Sequence, residues 1–174
     1  MPMNILKRFV ADIHIFKTLH IIKNYFCYIL FMEIEIRQIK PQDSAAITQL
    51  SSQLGYPLSM EQITKNIQAV LSSKDHDAFV AVHKNQVVGW IGVAHTIMIE
   101  MTPYCEINGL VIDENFRGKG IGKLLIEKAK QWGKDKGNTT IRLRCNVKRK
   151  ETHLFYQHLG FVETKEQKNF EIPI

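Results

Sequence analysis

The stretch ENFRGKGIGKLLIEKAKQW, Glu114 to Trp132, sets three glycines among three cations at the point where a helical pattern starts. Gly118, Gly120 and Gly122 alternate with Lys119 and Ile121; Arg117 precedes them and Lys123 follows. Ile121, Leu124, Leu125, Ala129 and Trp132 share one stripe at helical spacing. A helix over 120–136, closed by Gly137, is therefore expected to pack that stripe on a sheet. The first N–H groups of a helix have no internal partner and carry partial positive charge. Adding Arg117, Lys119 and Lys123 there is unfavourable unless an anion sits among them. Glycine removes the Cβ and lets a ligand approach the backbone closely. Together these features describe a phosphate cradle at a helix N-terminus. The plain alternative is a flexible loop with exposed lysines.

Two common phosphate motifs do not fit. The pattern G-x-x-x-x-G-K-[ST] would need glycine where Arg117 stands and a hydroxyl where Leu124 stands. The dinucleotide pattern G-x-G-x-x-G fails because the spacing here is G-x-G-x-G, and no acidic ribose partner stands out after the next strand.

The chain has 174 residues, 45% apolar and 23% charged, which suits one soluble domain with a real core. A net charge of +6 favours an anionic partner: nucleic acid, anionic lipid or a phosphorylated small molecule. Nucleic acid is not expected, because no run of basic residues is interleaved with aromatics. Three cysteines, Cys27, Cys105 and Cys145, form no C-x-x-C, and an odd count argues against a disulfide framework. Cys105 and Cys145 read as core thiols. The seven histidines show no H-E-x-x-H, so no metal is expected. A reducing, cytoplasmic setting fits best.

Residues 1–31 differ from the rest: apolar and weakly basic, with four Lys/Arg against one Asp. Lys17, His20, Lys23 and Asn24 interrupt the apolar run, and Tyr25–Met32 is far short of the roughly 20 residues a membrane span needs. No membrane segment is expected. The segment reads either as an extra amphipathic helix or as an artefact of the called start codon. The second is favoured, because the pattern from Met32 onward already reads as a complete domain, residues 32–174.

From Met32 the periodicity alternates. MEIEIRQI is a strand with Ile34 and Ile36 on one face. A helix opens near Asp43 or Ser44 as N-cap, and after the loop at 55–57 a second opens with Ser59 and Gln62 resembling a capping box. The run 77–100 reads as two strands joined by a tight turn at Lys84–Asn85. PYCEINGLVID is a fourth strand, TTIRLRCNV a fifth, KETHLFYQHLG a short helix, and FVETK and NFEIPI two last strands. The expected fold is α/β (α+β): a mixed, mostly antiparallel sheet of six to seven strands with helices on both faces.

RGKGIG at 117–122, following the GLVID strand and opening an amphipathic helix, resembles the acyl-coenzyme A loop of the GNAT superfamily of N-acetyltransferases, [QR]-x-x-G-x-[GA]. NVKRKETHLFYQHLGF, 146–161, resembles the family's later motif: Asn, a basic stretch, a short helix with Phe-Tyr, then Gly-Phe. Both stand in the family's order, and the likeness runs from about Met32 to Ile174. Thr152 departs from it where many members carry Ala.

The resemblance implies an acetyl-CoA-dependent N-acetyltransferase needing no metal. Its diphosphate would lie on Arg117, Gly118, Lys119, Gly120, Ile121, Gly122 and Lys123. The pantetheine arm would pair with Leu110, Val111 and Ile112 where the fourth and fifth strands splay, with a bulge at Gly109 and a hydrogen bond from Asn146. The amine attacks directly, through a tetrahedral intermediate. Tyr156 aligns with the family's general acid and would protonate the leaving thiolate. Glu106 aligns with a strand glutamate that serves as base in some members. Read without the family, Tyr156 is a core aromatic and Glu106 a strand-surface carboxylate. The acceptor is expected to be a small-molecule amine, with pockets built from 54–59 and 95–103. A peptide amine, a non-catalytic acyl-CoA sensor and a homodimer through the last strands remain further expectations to test.

Overall fold

The period-two run after Met32 forms strand β1, Ile34–Gln38, in a computed structural model that describes residues 33–174. The expected extension, residues 1–31, lies outside the described residues, as do Met32 and Cys27. Arg37 leaves β1 and grips the Asp43 carboxylate with two bonds of 2.8 Å. The Lys40 N–H donates to the same carboxylate at 2.8 Å. Asp43 therefore stands directly before helix α1, Ser44–Gln53, yet its side chain holds the β1–α1 turn rather than capping the helix. Helix α2, Met60–Ser72, opens on Ser59, whose Oγ accepts from the Gln62 N–H at 3.2 Å. Of the expected capping box the structure shows this one arm, and Gln62 Nε2 donates onward to Asn66 Oδ1 at 2.9 Å.

Strands β2, His76–His83, and β3, Gln86–Met98, meet at Lys84 and Asn85, whose φ angles of 46° and 66° make the tight turn expected there. Strand β4, Met101–Ile112, follows, then helix α3, Ile121–Asp135, strand β5, Ile141–Leu143, and helix α4, Lys150–His158. The sheet runs β1-β2-β3-β4-β5, with β4–β5 parallel and the other pairs antiparallel.

The mixed, mostly antiparallel sheet with helices on both faces is as expected. One face is sealed by Ile121, Leu125, Ile126, Ala129 and Trp132 of α3 against Ile91, Val93, Cys105 and Ile107. The other is sealed by Ile47 of α1 and Ile63 and Ile67 of α2 against Val80 and Val82. Among the described residues the strand count is five rather than six or seven. Residues 162–174 are exposed and form no strand, and Pro173 has no N–H to give to a ladder. β5 also ends at Leu143, short of the Asn146 end expected. Among the described residues no helix is long and apolar enough to cross a membrane.

Candidate active site

Two irregularities in β4 build the site. Toward β3, Gly92 pairs with Gly109 but Val93 pairs with Ile107, so Asn108 is an extra, bulged residue. The bulge is one position from the Gly109 expected. Gly109 serves a different purpose: a Cβ there would lie 2.5 Å from Cη2 of Trp90, so only glycine lets the indole lie down on the strand. Toward β5, pairing covers only Cys105–Ile107 against Ile141–Leu143. Past that point the two strands part, which leaves the Asn108–Ile112 edge of β4 without a β5 partner. The splay expected between the fourth and fifth strands is thus present.

At the end of β4 the chain passes through a short turn, Glu114–Phe116, into the glycine loop. Gly118 and Gly120 hold φ angles of +72° and +81°, a left-handed conformation that L side chains resist. Gly120 is the N-cap of α3 and no side chain caps the helix, so its opening N–H groups are left for another partner. Gly122 has a third role, packing on Phe155 of α4. Arg117 Nε donates to the Ile112 carbonyl at 3.2 Å, fastening the loop to the strand end.

Loop, splayed edge and α4 enclose one cavity of about 1100 Å³. Its wall includes Leu110, Val111 and Ile112 of β4 and Arg117, Gly118 and Gly120 of the loop. Ile121, Gly122 and Lys123 of α3, with Asn146 and Tyr156, complete that side. Lys119 is not part of the wall; its Nζ sits 4.8 Å above the Phe116 ring. Glu106 is not part of it either. Glu106 Oε1 lies 2.7 Å from Arg144 Nη2, and Oε2 accepts from Thr96 Oγ1 at 3.4 Å.

Tyr156 packs between Phe155 and Phe161, with ring centroids 5.2 and 5.6 Å away. Burial, with a smaller contribution from Cys145, pushes its phenol up to about 12, so it holds its proton at neutral pH. The residue packs against the core as an aromatic and also lines the cavity. Asn146 Oδ1 accepts from the Lys148 N–H at 2.9 Å, turning the chain after β5. Among the described residues no group of His, Cys, Asp and Glu could hold a metal ion.

Four wall residues escaped the sequence reading. Asn108 is invisible as a bulge because one extra residue leaves no periodicity signal beside Gly109. Trp90 reads as ordinary strand core. Cys145, expected in the core, is half-buried on the cavity wall, where burial raises its thiol. Arg149 reads as part of a basic run; its Nη2 donates to the Leu54 carbonyl at 2.7 Å, joining the start of α4 to the α1–α2 loop.

Comparison with known proteins agrees with this fold. The model of the acetyltransferase (GNAT) family matches residues 45–161. A protein named as an N-acetyltransferase of Methanocaldococcus jannaschii is 34% identical over 96 residues, 53% of this chain and 42% of that one. This chain thus spans less than half of that relative. Another, from Chlorobaculum tepidum, is 28% identical over 134 residues, 76% of this chain and 77% of its own. Among solved structures, the aminoglycoside N-acetyltransferase AAC(6')-Iy in complex with CoA superposes with a TM-score of 0.74 at 20% identity. That match covers 82% of this chain and 96% of the other, a likeness of fold.

Proposed function

The chain belongs to the acetyltransferase (GNAT) family, and from that premise we propose that residues 32–174 form a cytoplasmic N-acetyltransferase moving acetyl from acetyl-CoA to a small-molecule amine. One observation carries the reading. The uncapped helix start at Gly120 and the unpaired Asn108–Ile112 edge open onto the same cavity. A diphosphate needs the first and a peptide-like arm needs the second, so the residues present fit coenzyme A.

Acetyl-CoA supplies the acetyl group as an activated thioester. The N–H groups of residues 117–123 bind its diphosphate, and Arg117 and Lys123 add charge-assisted contacts. The β4 edge at Leu110, Val111 and Ile112 pairs with the arm's amides, and Asn146 offers its side-chain amide to the same arm. A β4 N–H beside the bulge would donate to the thioester's carbonyl oxygen, where negative charge develops. Tyr156 donates its phenolic proton to the sulfur as the C–S bond breaks and the new C–N bond forms. Glu106 accepts the amine's proton through water, since Arg144 and Thr96 keep its carboxylate off the cavity wall.

A thiol-release assay with acetyl-CoA and an amine library tests this. Amine-dependent release of coenzyme A is expected. Tight acetyl-CoA binding with no release on any amine would replace the enzyme with a sensor module.

A further inference from the structure

The same cavity has a second half that the diphosphate loop, the β4 edge and Tyr156 do not use. It lies on the face covered by α1 and α2. Its floor is apolar: Ile39, Ile47, Ile63 and Ile67 line it, with exposures of 5%, 4%, 7% and 4%. Trp90 packs against this cluster and also lines the cavity, its ring seated on Gly109. At the mouth, Tyr56 and Leu58 of the α1–α2 loop belong to the wall, yet are 63% and 46% exposed. Large apolar groups gathered at a cavity rim gain free energy when a ligand removes them from water.

The charges on the wall point the same way. Four cations line the whole cavity, Arg117, Lys123, Arg144 and Arg149, against two carboxylates, Asp77 and Glu151. Asp77 Oδ1 is already taken by Gln38 Nε2 and the Ala78 N–H. Arg144 is matched by Glu106, and Arg149 is fastened to Leu54. The diphosphate would use Arg117 and Lys123. Among the described residues, Asp77 and Glu151 are then the only carboxylates this wall offers a molecule with several ammonium groups, while most of its surface here is apolar.

We infer that the acceptor is a monoamine carried on an apolar or aromatic body, seated beside Trp90 on the α1–α2 side of the cavity. A polycationic acceptor would find few anionic partners on this wall and would leave its apolar surface unused. The inference rests on the acetyl-transfer reading above and narrows its substrate. The amine nitrogen reaches the thioester at the Asn108 bulge while the apolar body stays on the isoleucine floor.

The test compares phenethylamine, spermidine and kanamycin as acceptors for the full chain, with acetyl-CoA affinity measured separately by calorimetry. Phenethylamine should lead in kcat/KM by about tenfold or more, the scale on which an apolar pocket discriminates. Trp90→Ala should raise its KM by about tenfold while leaving acetyl-CoA affinity unchanged. Tyr56→Ala, at an exposed position where folding is not at risk, should raise the same KM. Preference for spermidine or kanamycin overturns the inference, as does acetyl-CoA binding without phenethylamine turnover. Loss of acetyl-CoA binding itself would instead sink the acetyl-transfer reading on which it stands.

Discussion

Gly122, in the first turn of α3, lies against the ring of Phe155 in α4: a Cβ built at Gly122 would stand 2.9 Å from Phe155 Cζ. The contact joins the two sequence motifs physically. The helix that opens the glycine loop and the helix that carries Tyr156 touch through a residue with no side chain. Gly122→Val should overpack this junction and lower stability by about 1–3 kcal/mol in denaturant unfolding. Shortening the partner with Phe155→Leu should restore part of the loss. Purely additive effects of the two changes would show that the contact does not couple the helices.

Gly120 holds φ +81° at the head of α3. A branched side chain there costs about 1–2 kcal/mol of backbone strain and covers the N–H groups meant for the diphosphate. Gly120→Val should remain folded by circular dichroism and lose acetyl-CoA binding in calorimetry. Retained binding would move the cradle elsewhere.

Tyr156→Phe should lower turnover about tenfold or more with little change in acetyl-CoA affinity. An unchanged rate removes the acid role. The phenol is raised to about 12 in the fold, above the ordinary value of about 10. The folded state therefore keeps the proton longer than the unfolded chain does. The stability this contributes is intact below about pH 10 and falls as pH rises toward 12. Tyr156→Phe should flatten that part of the stability profile.

Asp43 is buried with Arg37 gripping it. Burial pushes its carboxyl up, but the Arg37 hydrogen bond, the Lys40 N–H and the two nearby cations outweigh that and leave it lowered. Its contribution is present above the unfolded carboxylate value of about 3.9 and is lost as pH falls through the lower folded value. Asp43→Ala strands the half-buried guanidinium and should cost about 3 kcal/mol near neutral pH. A chemical denaturation series from pH 7 to pH 2 reads this out: the stability gap between wild type and variant should be constant above about pH 4 and narrow below it.

Glu106→Gln should alter the pH dependence of kcat/KM rather than acetyl-CoA affinity. A profile identical to wild type would take Glu106 out of the proton path and leave it as the partner of Arg144.

Much of this was legible in the residues. Periodicity placed the strands near Ile34, Val80, Ile91 and Val111 and the helix after Gly120, because each buries one regular face. The α3 stripe missed Ile126, which is fully buried beside Leu125, and included Leu124, which is only half-buried. The last strands were misread. Phe170, Ile172 and Ile174 alternate as a strand should, but alternation says nothing about whether an edge is available to pair with. The conformation of the glycine loop was legible because a left-handed backbone writes itself into glycine, as Gly118 and Gly120 show. The Asn108 bulge, the Trp90–Gly109 stacking and the Arg149–Leu54 tie were not, since each depends on register or on partners far away in the chain.

The most direct test of the account is a crystal structure of the protein soaked with acetyl-CoA. The diphosphate should appear on the N–H groups between Arg117 and Lys123, with the arm along Leu110–Ile112 and the sulfur near Tyr156. Density for the donor anywhere else on the molecule would contradict it.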